Sequence, residues 1–205
     1  MGDNKIDITS TAIEKGIDLI GGFIEKLAGS TLEEAGLMFG DKMRVRRLKN
    51  QIKIFSDVQK MAEENNISIK QINLKALVPL LEYSSLEEDE TLQQKWSNLI
   101  LNFSDASQVY ESSIYPFILS QLAKDDIVAL QHLYNNGDNS YIPLYDGPAI
   151  TKANLLRLGV IEIADRTKYQ KEISLSNSSK EIYHISELGK DFYKCCTIVT
   201  ASKND

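Results

Sequence analysis

Apolar residues recur every three to four positions over most of the 205-residue chain, a spacing that predicts helices. Between residues 9 and 28, Ile13, Ile17, Ile20, Ile24 and Leu27 form one stripe, flanked by Ala12, Leu19, Phe23 and Ala28. Glu14, Lys15, Asp18, Glu25 and Lys26 take the other side. The apolar arc is about 200° wide, against the ~100° stripe of an ordinary surface helix. Gly16, Gly21 and Gly22 each cost about 1 kcal/mol relative to alanine in a helix interior. Such a helix is weak alone and needs a surface to lie against: the rest of this chain, another subunit, or lipid.

The helical period continues from about 31 to 64, with Ser30 or Thr31 placed to cap it and Glu33 and Glu34 in the first turn, where the helix dipole favours acids. "GLMFG" (36–40) is a small-xxx-small spacing that permits close helix approach. In the stretch 72–136, "SSLEEDETLQQKWSNLILNF" (84–103) carries the cluster Glu87-Glu88-Asp89-Glu90 ahead of an apolar stripe, Leu92, Trp96, Leu99, Ile100 and Phe103. Ser85 followed by Glu88 predicts a capping box, which makes the acids the start of a helix rather than a metal or catalytic site. Pro116 suits the first turn of a helix running to Leu122. Asp125 is placed to cap the next helix, which Gly137 would end.

The pattern changes after residue 137. "YIPLY" (141–145) reads as a short edge strand and "ITKANLLRLG" (150–159) as a helix ended by Gly159. "VIEIA" (160–164) and "EIYHIS" (181–186) read as strands around a polar loop, and Ser186 caps a last helix, "ELGKDFYKCC". That order predicts a winged helix. The expected fold is therefore mostly α: an N-terminal Gly-rich and basic helical region (1–71), a central helical domain (72–136), a small winged-helix-like α+β segment (137–200) and a tail (201–205).

Composition adds little until charge is considered. A hydrophobic content of 42% and charged content of 25% suit a globular chain. The net charge of −6 argues against broad affinity for nucleic acid. The chief asymmetry is local: from Lys42 to Ser56 stand Lys42, Arg44, Arg46, Arg47, Lys49 and Lys53, with no acid among them. Such a run is a solvated face or a contact for anionic lipid or phosphate. The N-terminus lacks the build of a signal peptide, no window is long and apolar enough for a membrane span, and the cysteines are the adjacent pair Cys195 and Cys196. These features set the expectation of a reducing, cytoplasmic location, extended in its sharpest form to the inner-membrane surface.

Catalytic patterns are absent from the sequence: no P-loop, GxGxxG, GxSxG or HExxH motif occurs. With His132 and His184 far apart and the two cysteines adjacent, a zinc site of standard spacing cannot be assembled. We therefore expect no enzyme activity, no metal and no cofactor. The winged-helix pattern raises a DNA-binding regulator as the alternative, with contacts from Lys152 and Arg157 on its second helix and Arg166, Lys168 and Lys171 on the wing. Glu162, Asp165, Glu172 and Glu181 interrupt that basic character.

One stretch resembles a known family. "LKALVPLLEYSSLEEDETLQQKWSNLILNFSD" (74–105), followed by "YPFILSQLAKDDIVALQHLY", resembles the bacterial abortive infection alpha domain family. The resemblance rests on Pro79, Leu80 and Leu81; on Glu88, Asp89, Glu90, Leu92, Gln93, Lys95 and Trp96; and on Pro116, Phe117, Leu122, Asp126 and Leu130, over about 75–190. Ser97 stands where a small apolar residue is commoner. The resemblance implies a role in anti-phage defence and carries no catalytic residues with it. The contact surfaces expected from this chain itself are Ile13, Ile17, Ile20, Phe23, Ile24 and Leu27 for a protein partner, a second copy or a membrane. The six cations of the basic run would meet an anionic partner.

Overall fold

The computed structural model describes residues 18, 21–23, 25–27, 45–110, 112–135, 148–163 and 183–197. They are mostly helical, with a small two-stranded antiparallel sheet near the C-terminus. By internal packing they fall into two compact units, one ending at Ser120 and one spanning Gln121–Thr197. The expected helix start near 31, the "YIPLY" strand, the Gly137 stop and the wing loop lie outside the described residues.

The first unit is built on α1 (Val45–Glu64), α2 (Leu74–Ser84), α3 (Glu90–Ser104) and α4 (Ile114–Ser120). Ile54, Phe55 and Val58 on α1 and Trp96, Leu99, Ile100 and Phe103 on α3 are all essentially inaccessible to solvent. α1 ends in a Schellman arrangement: Asn66 takes a positive φ of 52°, and Ile67 N–H reaches the Ala62 carbonyl at 2.8 Å. Its side chains also secure α2. Asn50 donates to the Ser85 carbonyl and Gln51 to the Leu81 carbonyl, each at 3.0 Å, satisfying acceptors that a helix C-terminus leaves open.

Three sequence expectations shift in position. The start of α3 is not capped by a Ser85–Glu88 box. Ser85 closes α2 instead, its hydroxyl donating to the Glu82 carbonyl at 2.6 Å. Asp89 is the N-cap of α3, its carboxylate accepting from Thr91 N–H at 2.8 Å and Leu92 N–H at 3.2 Å. Aspartate caps as well as serine does, so the helix begins where the preceding one has released the chain. α4 ends at Ser120 rather than at Leu122. In the helix that follows, Asp126, not Asp125, closes the first turn by accepting from Ala123 N–H at 2.9 Å.

The second unit holds α5 (Lys124–Asn135), α6 (Ala149–Arg157), β1 (Ile161–Ile163), β2 (Tyr183–Ile185) and α7 (Glu187–Cys195). β1 and β2 pair antiparallel, with Ile161 opposite Ile185 and Ile163 opposite Tyr183. Gly159, at φ +70°, ends α6 in a Schellman arrangement, with Val160 N–H bonded to the Leu155 carbonyl. Ser186 ties the exit of β2 to the approach to β1, at one end of the sheet. Its hydroxyl donates to the Gly159 carbonyl at 2.6 Å and accepts from Gly189 N–H at 2.9 Å, capping α7. Gly189 is packed so closely that a Cβ there would fall on the Val160 carbonyl.

Two mutant series check these joints. Asp89→Ala should cost about 1 kcal/mol in urea unfolding, whereas Asp89→Asn keeps the cap and most of the stability. Gly159→Ala, limited to a backbone penalty, should cost about 1–2 kcal/mol. Gly189→Ala must displace backbone and should cost about 3 kcal/mol, the upper end of ordinary overpacking.

Candidate interaction surface

The acidic cluster is structural in every bond described for it. Glu87 accepts from Glu88 N–H and Asp89 N–H, both at 2.9 Å, Asp89 caps α3, and Glu90 pairs with Lys53 of α1 at 3.1 Å. Exposed loop and helix-start amides attract these carboxylates as they would a bound anion. Among the described residues no group of three or more His, Cys, Asp or Glu could hold a metal ion.

The N-terminal apolar stripe is represented by Phe23 and Leu27. Both are buried against this chain. The Phe23 ring lies 5.9 Å from that of Phe55 on α1, tilted by 57°, and the Leu27 carbonyl accepts from Ile72 N–H at 2.8 Å. Neither side chain offers surface to a partner in this arrangement. Asp18, Gly21, Gly22, Glu25 and Lys26 are exposed. Ile13, Ile17, Ile20 and Ile24 lie outside the described residues.

Of the basic run, Lys42 and Arg44 lie outside the described residues and Arg46 lies within α1. Arg47 is half-buried, and Lys49 and Lys53 are exposed. The ion pair ties Lys53 to α3, and Lys49 is an outward cation on α1.

The DNA-contact set divides similarly. Arg166, Lys168 and Lys171 lie outside the described residues. Lys152 is turned onto the Tyr183 ring, its ammonium 5.2 Å from the centroid. Arg157 donates to Asn154 Oδ1 at 2.7 Å, and Asn154 in turn donates to the buried Asp126 at 2.9 Å and to the Gln121 carbonyl at 2.8 Å. Sequence reading did not find this link between α5 and α6, because it depends on residues 28 positions apart. α6 also presents Ile150, which is 74% exposed, with Ala149 and Ala153 exposed beside it. Of the two histidines, His132 is exposed on α5, and His184 lies half-buried on β2 with Nε2 3.5 Å from Glu162.

Cys195 and Cys196 are buried and not joined by a disulfide. Burial pushes the Cys195 thiol well above its ordinary 9.0, and neighbouring Cys196 and Asp191 add to the effect. Burial also raises Tyr193 above its usual 10.0; a hydrogen bond with Thr197 opposes the shift, and Tyr134 and Cys196 reinforce it. The Tyr134 ring sits 4.5 Å from that of Tyr193. Such a thiol is a packing group, since reactivity needs the thiolate.

The fold class is thus a mostly helical protein with a small antiparallel sheet, whose polar clusters serve helix ends and helix contacts. The chain belongs to the abortive infection alpha family, which matches it over residues 41–152. The match begins upstream of the resembling stretch, at the start of the α1 region, and ends within α6. Comparison with curated proteins and with solved structures gives no match.

The raised acids set an alkaline limit on the second unit. Cys195 and Tyr193 hold their protons more tightly folded than unfolded, so their contribution is fully present below about pH 9. Thermal stability should fall as pH rises from 9 to 11, and Cys195→Ala should make that fall shallower in melts followed by circular dichroism.

Proposed function

We infer that this protein acts in abortive-infection defence against phage, by contact with a partner rather than by catalysis. The observation that carries the defence reading is the family match over residues 41–152. Several features support contact over chemistry. The densest acidic cluster is occupied by backbone amides and Lys53, Asp126 by Ala123 N–H and Asn154, and the cysteines are buried. The N-terminal segment supplies an apolar face wider than one helix needs for packing, and α1 adds exposed cations beside its fold contacts.

The partner is a protein, a second copy or an anionic membrane surface met from one side. No helix among the described residues is long and apolar enough to cross a membrane. The winged-helix reading of the C-terminal segment is compatible with the order α6, β1, β2, α7, and fold alone leaves its use open. A protein-contact role suits α6 better than DNA reading. Its outward residues include Ile150, Ala149 and Ala153, while Lys152 and Arg157 are held by Tyr183 and Asn154.

Phage plating and host growth test the reading, with the intact protein and with Ile17→Asp/Ile24→Asp at equal expression. The intact protein should protect, and the double variant should remain soluble and lose protection. Unchanged protection by the variant would place the activity elsewhere in the chain. Salt-sensitive DNA binding lost on Arg157→Ala or Lys168→Ala would favour the regulator instead.

A further inference from the structure

Two exposed apolar sites, one in each unit, carry opposite charge around them. On α6 the exposed residues are Ala149, Ile150, Ala153 and Arg157, and Thr151, Leu155 and Leu158 are buried on the other side. At 100° per residue the exposed four share one stripe about 100° wide. Ile150 is 74% exposed, and the small Ala149 and Ala153 beside it leave a shallow seat for an apolar side chain. Asn154 fixes the helix to Asp126 and to the Gln121 carbonyl, so the stripe has a set orientation within its unit. Residues 149–157 include two bases and no acid.

Leu86 is the matching knob. It is 51% exposed in the turn between α2 and α3, and that turn is held from both sides. Asn50 donates to the Ser85 carbonyl, Gln93 to the Glu87 carbonyl at 2.9 Å, and Leu86 N–H to the Tyr83 carbonyl at 3.1 Å. A backbone so fixed loses little further freedom on binding. Residues 82–90 hold five acids and no base, and Glu82 and Glu88 are exposed on either side of Leu86. Of the large apolar side chains exposed among the described residues, Leu86 alone is followed directly by two acids.

We propose that the partner is a second copy of this chain. The Leu86 turn of one protomer seats on the α6 stripe of the next, with Arg157 facing the acids around Leu86. Because the two surfaces differ, the contact is head-to-tail, and copies close into a ring or continue as an open series. A nine-residue helix and one turn bury less than a standard interface, so each contact is weak and assembly depends on concentration. Charge steers the encounter, and salt weakens it. The role of this assembly in defence rests on the contact reading, but the assembly itself is a property of the isolated protein.

Sedimentation of the full-length protein reads the assembly. Mass should rise above the monomer through micromolar concentrations and fall again at higher salt. Leu86→Ser and Ile150→Asp should each stay monomeric. Both positions are exposed, and an acid in the first turn suits α6, so melting temperatures should change little. Mixed in equal amounts, the two variants should recover a dimer and nothing larger, because one intact knob and one intact seat remain to meet. Glu82→Lys, outside the turn, should weaken wild-type assembly severalfold and keeps the test open if Leu86→Ser fails to fold. A monomer at every concentration, assembly that survives Ile150→Asp or Glu82→Lys, or a mixture that stays monomeric would each overturn the head-to-tail contact. DNA binding lost in Ile150→Asp with no change in mass would give this face to nucleic acid and overturn it too. Phage plating separates the two readings: protection retained by an Ile150→Asp variant shown not to assemble would sink the contact reading for this surface and leave the assembly standing.

Discussion

The close seating of α1 on α3 is the constraint on which the first unit depends. At its centre Ser97 is fully buried, its hydroxyl 3.0 Å from the Gln93 carbonyl and 3.3 Å from the Ile54 carbonyl across the seam. A larger side chain there would hold the helices apart, and a hydroxyl adds a bond that a small apolar residue could not. Trp96 beside it supplies the largest fully buried side chain. With α1 so placed, Asn50 and Gln51 reach the last carbonyls of α2, and Phe55 meets the N-terminal segment. α1 therefore positions α2, α3 and the described N-terminal residues.

The seam also carries unsatisfied polarity. Gln51 Oε1, Gln93 Oε1 and Trp96 Nε1 are buried without a hydrogen-bond partner among the described residues, although both glutamine amides donate to backbone carbonyls. Each such atom costs on the order of 1–3 kcal/mol relative to a bonded one. The large apolar area buried around Trp96, Leu99 and Phe103 offsets that cost. Ser97 favours one register of the two helices, because sliding would part its hydroxyl from the Ile54 carbonyl.

In the second unit the corresponding constraint is backbone proximity. Ser186, Gly159, Val160 and Gly189 bring the end of α6 against the start of α7, closer than any residue with a Cβ at 189 would permit. The Asp126–Asn154–Arg157 chain then holds α5 to α6 from the other side. A basic side chain engaged in this way serves the fold first, so the count of cations along a helix overstates the charge available to a ligand.

Periodicity in the sequence was enough for the helical class, the α3 core stripe, the order of helix and strand at the C-terminus, and the Gly159 stop, because each is written in neighbouring residues. The acidic cluster was legible as a helix start, but its capping residue was not. Ser85 and Asp89 compete for that role, and what decides is where α2 ends, which depends on Asn50 and Gln51 from a distant helix. The boundary between units at Ser120, the role of Ser97, the engagement of Lys152 and Arg157, and the burial of Phe23 and Leu27 against α1 and Ile72 were likewise settled by tertiary structure. An amphipathic stripe states that a face must be covered; which surface covers it depends on contacts between residues tens of positions apart, and local pattern carries no record of them.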